Sequence, residues 1–85
     1  MYAVTLADSA KRELAAIDRS IGRRIALKLR TLAENPRPKG VVKLEGEKNI
    51  WRIRIGDYRV LYAVFDREHE VVVSAIKHRG KAYRK

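Results

Sequence analysis

The chain has 85 residues, 46% hydrophobic and 35% charged, with 20 Lys plus Arg against 10 Asp plus Glu, a formal net charge of +10. That length allows one core and excludes two, and the apolar content excludes wholesale disorder. So large a charge opposes compaction through self-repulsion and points to a polyanionic partner, nucleic acid first and an acidic protein second.

Cysteine is absent, which excludes disulfides and Cys-based metal sites and suits a reducing compartment. No stretch approaches the ~20 apolar residues of a membrane span, and MYAVTLADSAKREL lacks the apolar run of a signal peptide. The expectation is a soluble, cytoplasmic protein without membrane contact, folded as a single domain over residues 1–85.

YAVTL, residues 2–6, is β-prone and alternates weakly, which predicts a first strand. Asp8 or Ser9 can cap the helix that follows, since either short side chain accepts a bond from the free N–H groups of the first turn. Ala10, Leu14 and Ile17 fall at helical spacing and form its buried stripe, with an end near Asp18. Ser20 is the candidate cap of a second helix. Its Ile21, Ile25, Leu29 and Leu32 recur at helical steps, while Arg23, Arg24, Lys28 and Arg30 turn mostly outward. ENPRPKG stops it, because Pro36 disfavours helical geometry at Asn35 and both Pro38 and Gly40 add breaks. Two helices linked this closely form an antiparallel hairpin.

After Gly40 the period shortens to two. VVKLEGEKN fits either a short strand through Val42 and Leu44 or an extended loop. IWRIRI, residues 50–55, is a clearer strand, with Trp51, Ile53 and Ile55 on one face and Ile50, Arg52 and Arg54 on the other. YRVLYAVF (Tyr58 to Phe65) and EVVVSAIK (Glu70 to Lys77) complete the set across the polar turn DREH. The expected fold class is α+β: an N-terminal strand, a two-helix antiparallel hairpin, then a three-stranded antiparallel meander.

The arginines carry the functional signal. A two-residue turn at Gly56-Asp57 pairs Ile55 with Tyr58 and Arg54 with Arg59. Opposed like charges destabilise a sheet, and a favourable cross-strand pair contributes only ~0.2–1 kcal/mol, so selection for stability alone does not put two arginines there. The face is arranged for an anion. A four-residue DREH loop then sets Phe65 opposite Glu70, Arg59 opposite Ile76 and Asp57 opposite His78. Arg52, Arg54, Arg59, His78 and Arg79 gather at one end of the sheet, with Tyr83 behind them, although a one-residue slip would reverse every facing. Blander readings stand beside this: Arg52 and Arg54 as edge charges that deter aggregation, His78 and His69 as idle surface histidines, Tyr83 as a tail aromatic. Arg59 resists such a reading because it occupies a central strand. Two helices cover only one face, so Leu61, Ala63 and Phe65 on the Arg59 side predict an uncovered apolar strip that marks a partner site.

Neither phosphate-binding glycine loops, nor metal-spaced His or Cys clusters, nor a nucleophile elbow occur. No cofactor or metal is expected.

IWRIRIGDYRVLYAV followed by VVVSAIKHRGKAYRK resembles the closing half of RelE/ParE-type toxins of bacterial and archaeal toxin–antitoxin systems, and SAKRELAAI and LAENPRP resemble its opening half. GDYRVLY and HRGKAYR are the specific parts, and the likeness covers nearly the whole chain. The RelE branch, as the resemblance implies, consists of ribosome-dependent endoribonucleases. They cut mRNA in the A site by attack of a ribose 2′-hydroxyl on the adjacent phosphate, leaving a 2′,3′-cyclic phosphate.

Carried over by position, the resemblance implies that Arg52 and Arg54 activate the hydroxyl and hold phosphate, that Arg59 and Arg79 stabilise the transition state, and that Tyr83 stacks on a base. Arg52, Arg54, Lys77 and Lys81 are then the expected RNA-binding residues. Leu61 and Phe65 are the expected contacts of an acidic antitoxin, in a hetero-oligomeric complex. Such a reaction needs positioning, charge neutralisation and proton transfer at both ends, and arginine forks suit phosphate oxygens. The chain departs from the best-known branch in having Arg52 and Arg54 where that branch uses lysines. Arginine is effectively always protonated and a poor base. His78, with an ordinary pKa of ~6.5, is therefore the candidate general acid or base, and Tyr83 an alternative proton donor. The alternatives are a ParE-like inhibitor of DNA gyrase, against which HRGKAYR argues, and a non-catalytic RNA-binding module.

Overall fold

The computed structural model describes residues 1–80 in full and the backbone of 81–82. The elements are β1 (Ala3–Leu6), α1 (Asp8–Ala15), α2 (Arg19–Thr31), β2 (Val42–Lys43), β3 (Ile50–Ile55), β4 (Tyr58–Phe65), β5 (Glu70–His78) and a short α3 (Arg79–Ala82). They form a mixed α+β fold with one five-stranded sheet in the order β1-β5-β4-β3-β2. The expected meander is present, and two strands extend it. β1 pairs parallel with β5, and the ambiguous VVKLEGEKN stretch contributes β2 at the far edge, with Val42 opposite Arg52.

The helices take the apolar face of the sheet. Ala10 from α1, with Ile25 and Leu29 from α2 and Leu32 just beyond it, are buried against Ile53, Val60, Tyr62, Val64, Val71, Val73 and Ile76. Ile21 departs from its expected stripe and stays 37% exposed, because it overhangs an open pocket beside the Gly56-Asp57 turn. Both expected helix caps are also corrected. Ala7 holds the first N-cap position, and Ser9 Oγ instead donates to the Ser74 carbonyl at 2.9 Å. Asp18, rather than Ser20, holds the second, and its carboxylate accepts the Ser20 hydroxyl at 2.7 Å.

One end of the sheet is tied by polar groups. Arg37 grips Asp66 with two bonds, at 3.2 and 2.6 Å, and lies 5.2 Å from the centre of the Trp51 ring. Tyr2 donates to the same carboxylate at 2.6 Å. The start of β1, the loop after α2 and the β4–β5 turn thus share one acceptor, and Arg37, then Tyr2, hold the Asp66 carboxyl below its ordinary value.

Behind this clasp the buried Tyr62 hydroxyl donates to the Pro36 carbonyl at 2.7 Å. Burial pushes its pKa up to about 12, against a nearby Arg37 that lowers it. A folded pKa above the ordinary 10.0 means that this contribution is complete below pH 10.0 and is lost as pH rises through about 12. Tyr62→Phe is expected to lose about 1–2 kcal/mol at neutral pH, since it strands a buried carbonyl. Urea unfolding across the alkaline range should also show a shallower decline for the variant than for the wild type.

Candidate functional site

The β3–β4 hairpin turns as its sequence predicts. Gly56 adopts φ +61°, a left-handed conformation that suits glycine. Ile55 lies opposite Tyr58, and Arg54 lies directly opposite Arg59. The DREH loop also keeps its expected length, with Phe65 opposite Glu70.

Between those points the β4–β5 register slips by one residue. Tyr62 pairs with Val73 but Leu61 pairs with Ala75, so Ser74 is an extra residue in a β-bulge. Arg59 therefore faces Lys77 rather than Ile76, and Tyr58 rather than Asp57 faces His78. The slip separates the expected cluster. Arg54, Arg59 and Lys77 form a lateral row on the face turned away from the helices, with Arg52 one pleat further along β3. His78 is on the helix side. Its ring stands edge-on to Tyr58 at 5.5 Å, and both line a pocket with Arg24 and Ile25. The expectation that His78 shares the arginine face is corrected, and the bulge is the reason.

The remaining candidates fall as follows. Arg59 is half-buried and its Nη1 is shielded from solvent. Arg54 is exposed, and its Nε donates to the Gly56 carbonyl at 3.2 Å, which bends it toward the turn. Arg79 opens α3, and its N–H donates to the Asp57 carbonyl at 2.7 Å, so the end of β5 is fastened to the hairpin tip. Lys77 is ion-paired with Glu13 of α1. Lys81 is placed by its backbone in α3, and Tyr83 lies outside the described residues. Of the apolar strip, Phe65 is 37% exposed, whereas Leu61 is half-buried and Ala63 buried. The strip is narrower than expected.

Two cations not singled out as site residues also converge here. Lys28 of α2 and Lys39 of the following loop line one groove with Arg54, Gly56 and Asp57 at the outer edge of β3. Neighbours in sequence gave no sign of this, because only the fold brings α2 and the loop to that edge. Among the described residues, His, Asp and Glu side chains nowhere gather in threes as a metal site would need. No helix among them is long and apolar enough to cross a membrane.

The fold of this small α+β domain is one that comparison with known proteins finds again. Residues 4–83 match the family described as the ParE toxin of type II toxin–antitoxin systems, and the chain belongs to that family. Within it the chain is a toxin of the RelE type. It is 34% identical over 59 residues to RelE1 of Methanocaldococcus jannaschii, a match that spans 66% of each chain. The fold is similar to that of the archaeal RelE–RelB complex from Pyrococcus horikoshii OT3, with TM-score 0.83, 29% identity and coverage of 94% of this chain and 97% of that one. It is also similar to the toxin–antitoxin complex RelBE2 from Mycobacterium tuberculosis, with TM-score 0.82, 26% identity and coverage of 92% and 98%.

Like charges placed directly opposite each other, as Arg54 and Arg59 are, are expected to lower stability. Arg54→Thr is expected to raise stability by ~0.2–1 kcal/mol at low salt, with a smaller gain at high salt where the repulsion is already screened. Urea unfolding at two ionic strengths checks the sign.

Proposed function

We propose that this toxin is a ribosome-dependent endoribonuclease that cuts mRNA in the A site, and that its open sheet face is the RNA-binding and catalytic surface. The observation that carries the reading is the Arg54–Arg59–Lys77 row, with the backbone of Arg79 fastened to the hairpin tip beside it. A hairpin selected for stability would not set Arg54 opposite Arg59, while a phosphate passing between those two would relieve their repulsion, and Lys77 beside them is held by Glu13.

The chemistry follows from the groups at hand. The ribose 2′-hydroxyl loses its proton and attacks the adjacent phosphorus. The bond to the 5′-oxygen breaks, that oxygen takes up a proton, and a 2′,3′-cyclic phosphate remains. Arg59, half-buried and positioned by a central strand, neutralises charge on the non-bridging oxygens, and Arg79 does so from the hairpin tip. Arg52 and Arg54 hold the flanking phosphates in line. With His78 turned to the helix side, the described residues act by positioning and charge neutralisation. Tyr83 keeps its proposed role as the stacking aromatic, worth ~1–3 kcal/mol for a bound base.

The proposed protein partner is an acidic antitoxin that covers Phe65 and Leu61 and neutralises the same row. The RelE relatives from Pyrococcus horikoshii and Mycobacterium tuberculosis, each solved as a toxin–antitoxin complex, support that reading.

Primer extension on programmed ribosomes is the test. Wild-type protein is expected to give A-site cuts with cyclic phosphate ends, and Arg59→Ala or Arg79→Ala to lose cleavage by roughly a hundredfold to a thousandfold. Both variants should still co-purify with the antitoxin, and wild-type toxicity in either would defeat the site assignment. The family match itself is described by the ParE toxin, which supports gyrase inhibition as a second reading. Intact message together with blocked supercoiling would establish it.

A further inference from the structure

Helix α1 reaches β5 through two polar side chains where β1 no longer can. β1 stops pairing at Leu6–Val73, where the Ala7 N–H donates to the Val73 carbonyl at 2.8 Å. Beyond Val73 the outer edge of β5 has no strand beside it among the described residues, and α1 takes over. Ser9 Oγ donates to the Ser74 carbonyl at 2.9 Å, and Glu13 Oε1 accepts the Ile76 N–H at 2.8 Å. The other Glu13 oxygen receives the Lys77 ammonium. On the inner edge, Ser74 Oγ donates to the Leu61 carbonyl at 3.2 Å. These contacts bracket the bulge from both sides.

The bulge decides facing. Buried positions along β5 run Val71, Val73 and then Ile76, a step of three in a strand of period two. Plain alternation would send Ala75 and Lys77 toward the helices and turn Ile76 out to solvent. The extra residue keeps Ile76 in the core and brings Lys77 into line with Arg54 and Arg59. That alignment adds a third cation to a row of two, and Glu13 supplies the opposing charge. Burial pushes the Glu13 carboxyl up, but Lys77 and the Ile76 N–H outweigh it and leave it below the ordinary value, so it is ionised at neutral pH.

We infer that Glu13 is a positioning residue: from α1 it holds the Ser74 bulge and the Lys77 ammonium, and so sets which C-terminal side chains stand in the arginine row and how much charge they present. The consequence for cleavage rests on the nuclease reading, while the consequence for strand geometry and RNA binding does not.

Two variants separate its tasks. Glu13→Gln keeps an oxygen for the Ile76 N–H and gives up the charge, whereas Glu13→Ala gives up both. Amide hydrogen exchange at Ile76 should accelerate roughly tenfold in the Ala variant and stay near wild type in the Gln variant. Binding of a short single-stranded RNA across a salt series should steepen in the Gln variant by about 0.7 in log–log slope, as released Lys77 engages one more phosphate. On programmed ribosomes the Ala variant should lose about tenfold in kcat with little change in KM, and Gln should restore it.

Unchanged Ile76 exchange in a folded Ala variant overturns the hold on the bulge, and faster exchange with wild-type kcat overturns the positioning role. Should Glu13→Ala not fold, the Gln variant decides alone, since an unchanged salt slope overturns the hold on Lys77. If the wild type leaves message intact, the nuclease reading fails by itself, and the exchange and salt-slope results still decide this inference.

Discussion

The α1–α2 layer covers one side of a five-stranded sheet, and this one-sidedness governs where every charge can go. On the covered face the pleat admits Ile53, Val60, Tyr62, Val71, Val73 and Ile76, all buried. A cation there would have to give up its hydration without return. On the other face the same alternation leaves room for Arg52, Arg54 and Arg59. Hairpin geometry sets Arg54 beside Arg59, and the break in alternation at Ser74 adds Lys77 to their row. On β3 and β4 the core and the candidate site are therefore two readings of a single period-two pattern, and neither can shift by one residue without exchanging places with the other.

Much of this was legible because hydrophobic period and turn chemistry are local. IWRIRI and YRVLYAVF declared their faces, GD fixed the hairpin, and the Arg54–Arg59 pairing followed by counting outward from the turn. The bulge was missed, although EVVVSAIK held its signal: after Val71 and Val73 the next strongly apolar residue is Ile76, with Ser and Ala between. Reading that step of three as a break in alternation would have placed Lys77 with the arginines and His78 away from them. The helix caps were missed for a different reason. Ser9 and Ser20 had nearby acceptors in Ser74 and Asp18 that competed with the backbone, and tertiary context chose between them. The groove of Lys28, Lys39 and Arg54 was not legible at all, since its members lie on three separate segments.

The two ends of β4 are treated oppositely. At the Asp66 end, a carboxylate, a guanidinium, a phenol and an indole complete one another's valences. At the Gly56-Asp57 end, cations accumulate on both edges of the hairpin. Exposed ion pairs add little stability individually, but a bidentate clasp on three segments fixes how they meet. That leaves the charge excess to the other end. The division suits a domain with only a few kcal/mol of stability to distribute.

The parallel pairing of β1 with β5 has a consequence in time. β5 lies between β1 and β4, so the first strand of the chain must wait for the last before it has a neighbour. Pairing of such distant segments makes folding slow, because chain closure has to precede any return from contact. It also means that a growing chain can pair β2, β3 and β4 with one another but cannot seat β1 until β5 has appeared. The row that includes Lys77 is completed by that same segment. Until β5 is made, neither β1 nor the Arg54–Arg59 pair has the neighbour that β5 supplies.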